Sequence, residues 1–255
     1  MDQRGNYIVK PIDELGSGTF GRVELIELYN TQGHLCGRYA RKVLNVPTSL
    51  VGSLYSYDDW IRRFEREVKY QAECTHDNIA PICIHHLKTE YPWFVMELAE
   101  TDLRKALREQ NLSDNQRLSI ISMMLRGMEF VHRKGYMHRD LKPENILKFK
   151  DGRYKISDFG LVRASDPATQ SAILTKIAVP MGTEGYMAPE VLRGVYSFKT
   201  DIYALGVIIN EIGVNHIDGI EQVVARATNY TPAGRYDSVA QMIQDVTRIT
   251  HRRMS

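Results

Sequence analysis

The stretch His138-Arg139-Asp140-Leu141-Lys142-Pro143-Glu144-Asn145 decides how this chain is interpreted. It places a carboxylate at Asp140, a cation two residues later at Lys142 and an amide five residues later at Asn145. These groups suit phosphoryl transfer. The aspartate can orient an attacking hydroxyl and accept its proton, the lysine can neutralise the moving phosphoryl group, and the asparagine oxygen can hold a magnesium ion. The alternative, a solvated run of charges before a helix, does not account for eight residues in this order.

Two shorter motifs follow this stretch. Asp158-Phe159-Gly160 comes after an alternating strand at 153–157 and thirteen residues after Asn145, which favours Asp158 as a second metal ligand over an ordinary turn. Ala188-Pro189-Glu190 carries no meaning by itself, but it lies thirty residues after Asp158 and closes the segment between them.

A glycine-rich segment from Gly16 to Val23 has the pattern GxGxxGxV. The pattern alone is a weak sign of phosphate binding, because most glycine clusters mark ordinary turns. The residues after it alternate as a strand instead of opening a helix, which argues against a dinucleotide-binding fold. A glycine-rich hairpin can instead lie over a triphosphate, since its backbone amides approach phosphate oxygens closely.

Length and composition set the class of protein. The 255 residues are 43% hydrophobic and 25% charged, which is ordinary for a globular domain and excludes disordered, collagen-like and coiled-coil classes. Lysine plus arginine (33) nearly balances aspartate plus glutamate (31), so the net charge of +2 gives no case for a nucleic-acid or membrane-surface binder.

The compartment is expected to be intracellular and cytoplasmic. The three cysteines are odd in number and lack CxxC spacing, which predicts reduced, mostly buried thiols. Residues 1–15 contain no apolar run typical of a secretory signal, and the longest apolar stretch, 204–209, is far too short to span a membrane.

Hydrophobic periodicity changes along the chain, from alternation around glycines in residues 6–46 to helical spacing beyond residue 100. Further strands are predicted at 82–86 and 93–98, and helices at 58–74, 113–133, 200–213 and 236–251. A small sheet-rich lobe followed by a larger helical lobe is therefore expected.

The ordered set GxGxxGxV, Ala-x-Lys, HRDLKPEN, DFG and APE resembles the eukaryotic-type (Hanks-type) serine/threonine protein kinase family and covers nearly the whole chain. The resemblance implies an α+β, two-lobed protein kinase fold in a single catalytic domain over 1–255. The N-lobe, about 1–98, would be a small antiparallel sheet with one main helix, and the C-lobe, about 99–255, would be larger and helical. The resemblance also implies ATP with Mg²⁺, or Mn²⁺ as an alternative, and a protein substrate with a serine or threonine acceptor.

The resemblance assigns the phosphate site in the N-lobe. Lys42 of Tyr39-Ala40-Arg41-Lys42 would hold the α- and β-phosphates. Glu67 would be its helix partner, because it lies nine residues before His76, and Glu65 is the competing candidate.

The resemblance also places the nucleoside. Met96 would be the gatekeeper, with the Glu97 carbonyl and the Ala99 amide facing the adenine edge. Asp102 suits the ribose hydroxyls, although a helix cap is an equally good interpretation. The remaining contacts implied are Gly16, Gly18 and Gly21 at the phosphates and Leu15, Val23, Ala40 and Leu147 around adenine, where a plain core role is the alternative.

Further positions look like the serine/threonine branch of the family. Lys142 and Thr183 are typical of that branch, and Thr183 would lie in the catalytic site beside the catalytic aspartate. Asp201 matches the aspartate that anchors the catalytic-loop backbone, and Arg235 matches the arginine that pairs with Glu190.

Three departures from the family pattern concern regulation and docking. Only 21 residues separate Gly213 from Arg235, so the usual docking region is abbreviated. Gln71 stands where an apolar residue is usual, which predicts an easily displaced helix and a gain of stability for Gln71→Leu. Val179 occupies the place of the usual phosphosite.

Phosphorylation within 165–183 is nevertheless expected to control activity, because Arg139, directly before the catalytic aspartate, favours a nearby anion. Thr175 ranks first, ahead of Ser171 and Thr169, and a loop ordered by its own apolar residues is the alternative. The phosphate would come from autophosphorylation in trans or from a regulatory partner.

Two other functions stay open at this point. A pseudokinase of the same fold would bind nucleotide or a partner without efficient turnover, and a small-molecule phosphotransferase would share the lobes. Against the first, the chain keeps all the expected catalytic groups, namely Lys42, Glu67, Asp140, Asn145 and Asp158.

Overall fold

The computed structural model describes residues 2–18, 21–46, 56–164 and 182–254. These residues fall into two compact units. The first lies within Met1–Thr75 and Ala80–Ala99, and the second within His76–Ile79 and Glu100–Ser255. The first carries an antiparallel sheet and a long helix and the second is mainly helical, so the expected α+β class is confirmed.

The segment His76–Ile79 belongs to the second unit because of the contacts it makes there. Ile79 forms a parallel bridge with Ile156. The Asn78 carbonyl accepts the Ile156 N–H at 2.9 Å, and the Asn78 Nδ2 donates to the Tyr154 carbonyl at 3.0 Å. The boundary between the two lobes that the sequence predicts near residue 98 does not account for this earlier segment.

The sheet is the frame of the first unit. In the described residues its six strands are β1 (Asp2–Arg4), β2 (Tyr7–Gly18), β3 (Gly21–Asn30), β4 (Leu35–Leu44), β5 (Ile82–His86) and β6 (Trp93–Glu97), in the order β1-β2-β3-β4-β6-β5. Alternation explains β3, where Ile26 and Leu28 are buried and their neighbours are half-buried. Strand β1 was not anticipated, because its residues are polar and exposed and only its backbone pairs with β2.

Helix α1 (Tyr57–Glu73) packs on this sheet. Ser56 Oγ accepts the Asp59 N–H and the Asp59 carboxylate accepts the Ser56 N–H, which fixes the start of the helix. Its apolar face joins a buried cluster made of Trp60, Phe64 and Val68 from the helix and Ala40, Leu44, Phe94 and Met96 from the sheet.

Gln71 lies on the buried side of α1, where one end of its amide is hydrogen-bonded. Its Nε2 donates to the Ala80 carbonyl at 2.9 Å, while its Oε1 has no hydrogen-bond partner among the described residues. Both Gln71 and Ala80 are buried. The amide therefore ties the end of α1 to the chain that leads into β5 instead of loosening the helix.

Replacing Gln71 with Leu is expected to lower the free energy of unfolding by about 1 kcal/mol, because the buried Ala80 carbonyl loses its donor. Equilibrium urea unfolding measures this. Lys69→Leu, on the exposed side of the same helix, is the control and should change stability by less than about 0.5 kcal/mol. A more stable Gln71→Leu protein would contradict the account.

Helices dominate the second unit. Within the described residues they are α2 (Leu103–Glu109), α3 (Asp114–Arg133), α4 (Phe198–Ile212), α5 (Ile220–Ala227) and α6 (Val239–Met254). The short strands are β7 (Thr101–Asp102), β8 (Tyr136–Met137), β9 (Ile146–Lys148), β10 (Tyr154–Ile156) and β11 (Arg163–Ala164), paired as β10-β9-β7 and β11-β8.

The helices follow the predicted periodicity with shifted ends. The apolar face of α3 is buried at Leu118, Ile121, Leu125 and Met128, as predicted. Helix α6 begins at Val239 instead of residue 236, because Tyr236 turns into the core and its hydroxyl donates to Asp245 at 3.0 Å. Helix α5 was not anticipated.

Two smaller expectations can be checked in the same structure. Cys74 is buried but Cys36 and Cys83 are exposed, so the prediction of mostly buried thiols is wrong; none of the three forms a disulfide within the described residues. Among the residues described, no helix is long and apolar enough to cross a membrane.

Candidate active site

The HRDLKPEN residues form a loop between β8 and β9 that ends in a 3₁₀ turn at Pro143–Asn145. Arg139 in this loop has a φ of +71°, and Asp158, two residues after β10, has a φ of +61°. They are the non-glycine residues with positive φ in the described part of the chain. Such backbone costs about 1–3 kcal/mol per residue, so the surrounding contacts must hold it.

Asp201, on α4, holds the backbone at Arg139. Its Oδ2 accepts the N–H of His138 at 2.8 Å and its Oδ1 accepts the N–H of Arg139 at 2.9 Å. The Nε2 of His132, on the last turn of α3, lies 2.8 Å from the same Oδ2. The expectation that Asp201 anchors the loop is confirmed, whereas His132 was missed, because no sequence motif marks it.

The Asp201 carboxylate stays charged although it is only 1% exposed. Burial acts to raise its pKa, but the hydrogen bond from His132 and the charges of His132 and His138 outweigh burial. The Arg139 N–H acts in the same sense, and the net effect lowers the pKa below its usual value.

The carboxylate of Asp140 is surrounded by three polar side chains, those of Thr183, Lys142 and Asn145. Thr183 Oγ1 donates to Asp140 Oδ1 at 2.8 Å, and Lys142 Nζ donates to Thr183 Oγ1 at 3.0 Å. Lys142 Nζ also lies 3.4 Å from Asp140 Oδ2. Asn145 Nδ2 donates to the Asp140 carbonyl at 2.8 Å and to Asp140 Oδ2 at 3.2 Å. A hydroxyl here lies between a carboxylate that can take its proton and an ammonium that can stabilise negative charge.

Asn145 and Asp158 are candidates for a metal site, and their surroundings fit one. The Ser157 N–H donates to the Asn145 carbonyl at 2.9 Å, which ties the residue before Asp158 to the loop. Because Asn145 Nδ2 is engaged at Asp140, its amide oxygen is left as an acceptor, and Asp158 follows Ser157 directly in the chain. Mg²⁺ prefers such oxygen donors and takes the rest of its ligands from substrate phosphates and water.

In the first unit, Lys42 on β4 reaches Glu67 on α1. Lys42 Nζ lies 2.6 Å from Glu67 Oε1, and the Glu67 side chain is only 5% exposed. The structure therefore pairs Lys42 with Glu67 rather than with Glu65, by a short charge-assisted hydrogen bond. The pair is formed in this structure, and the ease with which α1 is displaced stays a prediction.

The glycine-rich hairpin joins β2 and β3, and its tip at residues 19–20 lies outside the described residues. Gly18 and Gly21 pair where the two strands end. A Cβ at Gly21 would lie 2.9 Å from the Val43 carbonyl oxygen, so the fold itself requires glycine there. A Cβ at Gly16 would meet no atom within 4 Å, so its glycine leaves backbone that a phosphate can approach.

The residues assigned to adenine divide by burial. Ala40 and Met96 pair across β4 and β6 and are both buried in the cluster under α1, so a plain core role explains them equally well. Leu15 is exposed. The others are half-buried: Val23, Glu97, Ala99 and Leu147. Their contacts with a nucleotide stay predictions.

Asp102 is a helix cap in this structure. Its Oδ1 accepts the Lys105 N–H at 2.9 Å at the start of α2. The capping interpretation is confirmed, and the contact with a ribose stays a prediction.

Two ionic clusters hold the segment after Gly182. Arg235 donates from both terminal nitrogens to Glu190, at 2.6 and 2.8 Å, in a buried pair that confirms the expectation. Arg104 on α2 was missed. It binds Glu144 at 2.9 Å and Glu211 at 3.0 Å and also donates to the Tyr186 hydroxyl. This second cluster joins α2 and α4 to the catalytic loop.

Most of the residues expected to take part in regulation fall outside the part of the chain that the structure describes. Val179 and the phosphate acceptors Thr169, Ser171 and Thr175 lie outside the described residues. Arg139 lies with its guanidinium 3.8 Å from the centre of the Tyr196 ring, and its Nε is buried without a hydrogen-bond partner among the described residues.

Comparisons with known proteins agree with this geometry. The protein kinase domain model matches residues 9–222. The chain is 30% identical over 238 residues to the serine/threonine-protein kinase PknL of Mycobacterium tuberculosis, covering 80% of this chain and 59% of PknL. It is also 30% identical over 239 residues to the probable serine/threonine-protein kinase PknB of Lactococcus lactis, covering 80% of this chain and 38% of PknB.

The chain therefore belongs to the protein kinase family, whose members use ATP with a divalent metal and act on proteins. It spans about three fifths of the length of PknL and a smaller share of PknB.

Asp201→Asn is expected to lower the free energy of unfolding by about 3 kcal/mol at pH 7, because an amide cannot accept from both loop N–H groups and His132. The folded-state pKa of Asp201 is lowered, so its contribution is complete above the ordinary carboxyl pKa of 3.8 and is lost as the pH falls below it. Denaturant unfolding at several pH values measures both effects. Asp237→Asn, at an exposed ion pair with Lys199, should lower stability far less than Asp201→Asn does; equal losses in the two variants would contradict the assignment.

Substitutions at Gly16 and Gly21 should distinguish a glycine that folding requires from one that ATP binding requires. Gly21→Ala is expected to cost about 1–3 kcal/mol of stability, because its Cβ would press on the Val43 carbonyl. Gly16→Ala should change stability by less than about 0.5 kcal/mol and still weaken ATP binding. Thermal unfolding and nucleotide titration check the pair, and unchanged ATP affinity in Gly16→Ala would remove Gly16 from the phosphate site.

Proposed function

We propose that the protein transfers the γ-phosphoryl group of ATP, bound with Mg²⁺, to serine or threonine hydroxyls of a protein substrate. The observation that carries the proposal is the Asp140–Thr183–Lys142 arrangement. There, a threonine hydroxyl already donates to the Asp140 carboxylate at 2.8 Å and lies 3.0 Å from the Lys142 ammonium. A substrate hydroxyl that took the same place would meet the same two groups.

Asp140 is proposed to orient the acceptor hydroxyl and to take its proton as the oxygen attacks. Its position is fixed by the Asn145 amide, which donates both to its carbonyl and to its carboxylate. Lys142 is proposed to stabilise the charge of the moving phosphoryl group, since its ammonium lies 3.0 Å from the Thr183 hydroxyl. Thr183 holds both groups in place before a substrate arrives.

Asp158 and the Asn145 amide oxygen are proposed to bind the metal. When bound, Mg²⁺ neutralises the β- and γ-phosphate oxygens, and Mn²⁺ has the same ligand preference for oxygen. Lys42, fixed by Glu67, is proposed to bind the α- and β-phosphates. The glycines at 16, 18 and 21 are proposed to cover the phosphates. The nucleoside contacts proposed are Leu15, Val23, Ala40, Met96, Glu97, Ala99, Asp102 and Leu147.

Serine and threonine are proposed as acceptors over tyrosine because of Lys142 and Thr183. The relatives PknL and PknB carry serine/threonine kinase in their names. Incubation with γ-labelled ATP, Mg²⁺ and a generic basic protein, followed by phosphoamino-acid analysis, tests the proposal. Labelled phosphoserine or phosphothreonine is expected. Tight ATP binding without any labelled product would support the pseudokinase alternative.

Asp140→Asn is expected to lower kcat about 10²- to 10⁴-fold, because the hydroxyl loses its proton acceptor. ATP affinity should change less than about twofold. Asp158→Ala should weaken MgATP binding as well as abolish turnover, because it removes a metal ligand.

The matched control is Asp151→Asn, the same change at an exposed aspartate in the turn between β9 and β10. Steady-state kinetics and nucleotide titration on the three variants measure turnover and ATP affinity separately. Wild-type turnover in Asp140→Asn would show that another group takes the proton.

A further inference from the structure

A surface groove of about 370 Å³ lies between α5 and α6, away from the groups assigned above. Its walls carry three arginines and one aspartate, a formal charge of +2, in a chain whose whole net charge is also +2. Arg226 comes from α5, and Arg248 and Arg252 come from α6. The groove is therefore a local concentration of positive charge on a nearly neutral protein.

The aspartate of the groove, Asp245, is already engaged by its neighbours. It accepts a hydrogen bond from the Tyr236 hydroxyl at 3.0 Å and pairs with Arg248 at 3.1 Å, while Arg226 lies 3.8 Å away. Arg252 has no ion-pair partner among the residues that the structure describes. Two guanidiniums share one carboxylate and, within the described residues, the third has none, so the site has capacity for further anions.

The arginines are held where a ligand can reach them. Arg226 stacks on the Tyr236 ring, with its guanidinium 4.2 Å from the ring centre, and its side chain is still 46% exposed. The Arg248 side chain is 69% exposed. Stacking limits the rotamer entropy that binding costs, because the guanidinium of Arg226 is already placed.

The floor of the groove is apolar. A Cβ at Gly219 would lie 2.8 Å from Ile249, so α5 and α6 meet closely there. Val223 and Ile249 line the same groove, the first buried and the second half-buried. The methylene groups of an acidic side chain can lie on this floor while its carboxylate reaches an arginine.

We propose that this groove docks an extended, acidic segment of the protein substrate, in which every second side chain is a carboxylate that faces the groove. The proposal rests on the proposed function, because only a kinase that acts on proteins has a protein substrate to dock. In an extended chain, residues i and i+2 lie about 7 Å apart on one face. Arg248 and Arg252 lie one helical turn apart, about 6 Å along α6, so successive carboxylates on that face reach successive guanidiniums.

A peptide fits these features better than an anionic membrane does. Helices that lie on membranes present exposed large apolar side chains beside their basic ones. The exposed large apolar residues of the described chain lie outside α5 and α6. The site is also concave, with Asp245 among the arginines, and a flat anionic surface could not avoid that carboxylate.

The test measures binding of a fluorescein-labelled peptide of alternating glutamate and leucine by fluorescence anisotropy at low salt. The double variant Arg248→Glu with Arg252→Glu should bind about tenfold or more weakly, since two attractions become repulsions. The control Arg108→Glu with Arg126→Glu makes the same charge change at exposed arginines on α2 and α3 and should bind within about twofold of the unmodified protein. A lysine–leucine peptide should show the reverse preference for the first variant.

Vesicles containing phosphatidylserine are the competing probe. Equal peptide affinity in the two double variants overturns the proposal. The proposal is also overturned if the peptide does not bind while the vesicles do, and if vesicle binding is lost in the Arg248→Glu, Arg252→Glu variant. Thermal unfolding shows whether each variant is folded, and Arg248→Lys with Arg252→Lys should keep peptide binding if charge is what matters.

Kinetics separate this inference from the proposed function. Joining the acidic segment to a phosphoacceptor peptide should lower KM about tenfold, and the Arg248→Glu, Arg252→Glu variant should lose that gain while its kcat on the short acceptor stays unchanged. Peptide binding without any phosphorylation leaves the docking site standing and overturns the proposed function. Phosphorylation with no effect of the acidic segment on KM overturns the docking site.

Discussion

The buried carboxylate of Asp201 is the interaction on which the second unit's site depends. It accepts two consecutive backbone N–H groups, those of His138 and Arg139, and thereby holds a non-glycine residue at positive φ. A neutral acceptor would form weaker bonds, because charge-assisted hydrogen bonds are roughly twice as strong. His132 keeps the carboxylate charged in a place where burial works against charge. The side chain of Asp140 points where it does because the backbone before it is fixed in this way.

In the first unit, the ion pair of Lys42 and Glu67 likewise holds two elements in a fixed arrangement. Lys42 and Glu67 lie on different elements, β4 and α1, so their 2.6 Å contact requires the helix to pack at one depth against the sheet. The cluster of Trp60, Phe64 and Val68 under α1 sets that depth. The Gln71 amide adds a polar tie at the end of the helix. Apolar packing therefore positions the Lys42–Glu67 pair, and the ion pair in turn stabilises α1 in its packed position.

Sequence patterns anticipated the parts of the protein where one residue type is required at one place. The pairings of Lys42 with Glu67, of Glu190 with Arg235, and of Asp201 with the loop were all implied by the resemblance to the protein kinase family. The glycine at 21 is required by a backbone contact, and a glycine pattern can carry that information.

The features that were missed depend on contacts that no sequence motif marks. Strand β1 pairs through its backbone alone, so its polar residues gave no sign of it. Gln71 was expected to weaken the helix, because the sequence cannot show that the Ala80 carbonyl lies within its reach. His132 and Arg104 act through partners about seventy to one hundred residues away. Short helices such as α5 form when a neighbour covers their apolar face, which local periodicity does not reveal.

The account's central claim is that Asp201 locks the catalytic-loop backbone in the folded protein. Hydrogen exchange of the His138 and Arg139 amides, followed by NMR, tests it most directly. If the carboxylate holds both N–H groups, these amides should exchange only on global unfolding, as slowly as those in the buried middle of α3. Exchange at the rate of exposed loop amides, in a protein whose α3 amides stay protected, would contradict the claim.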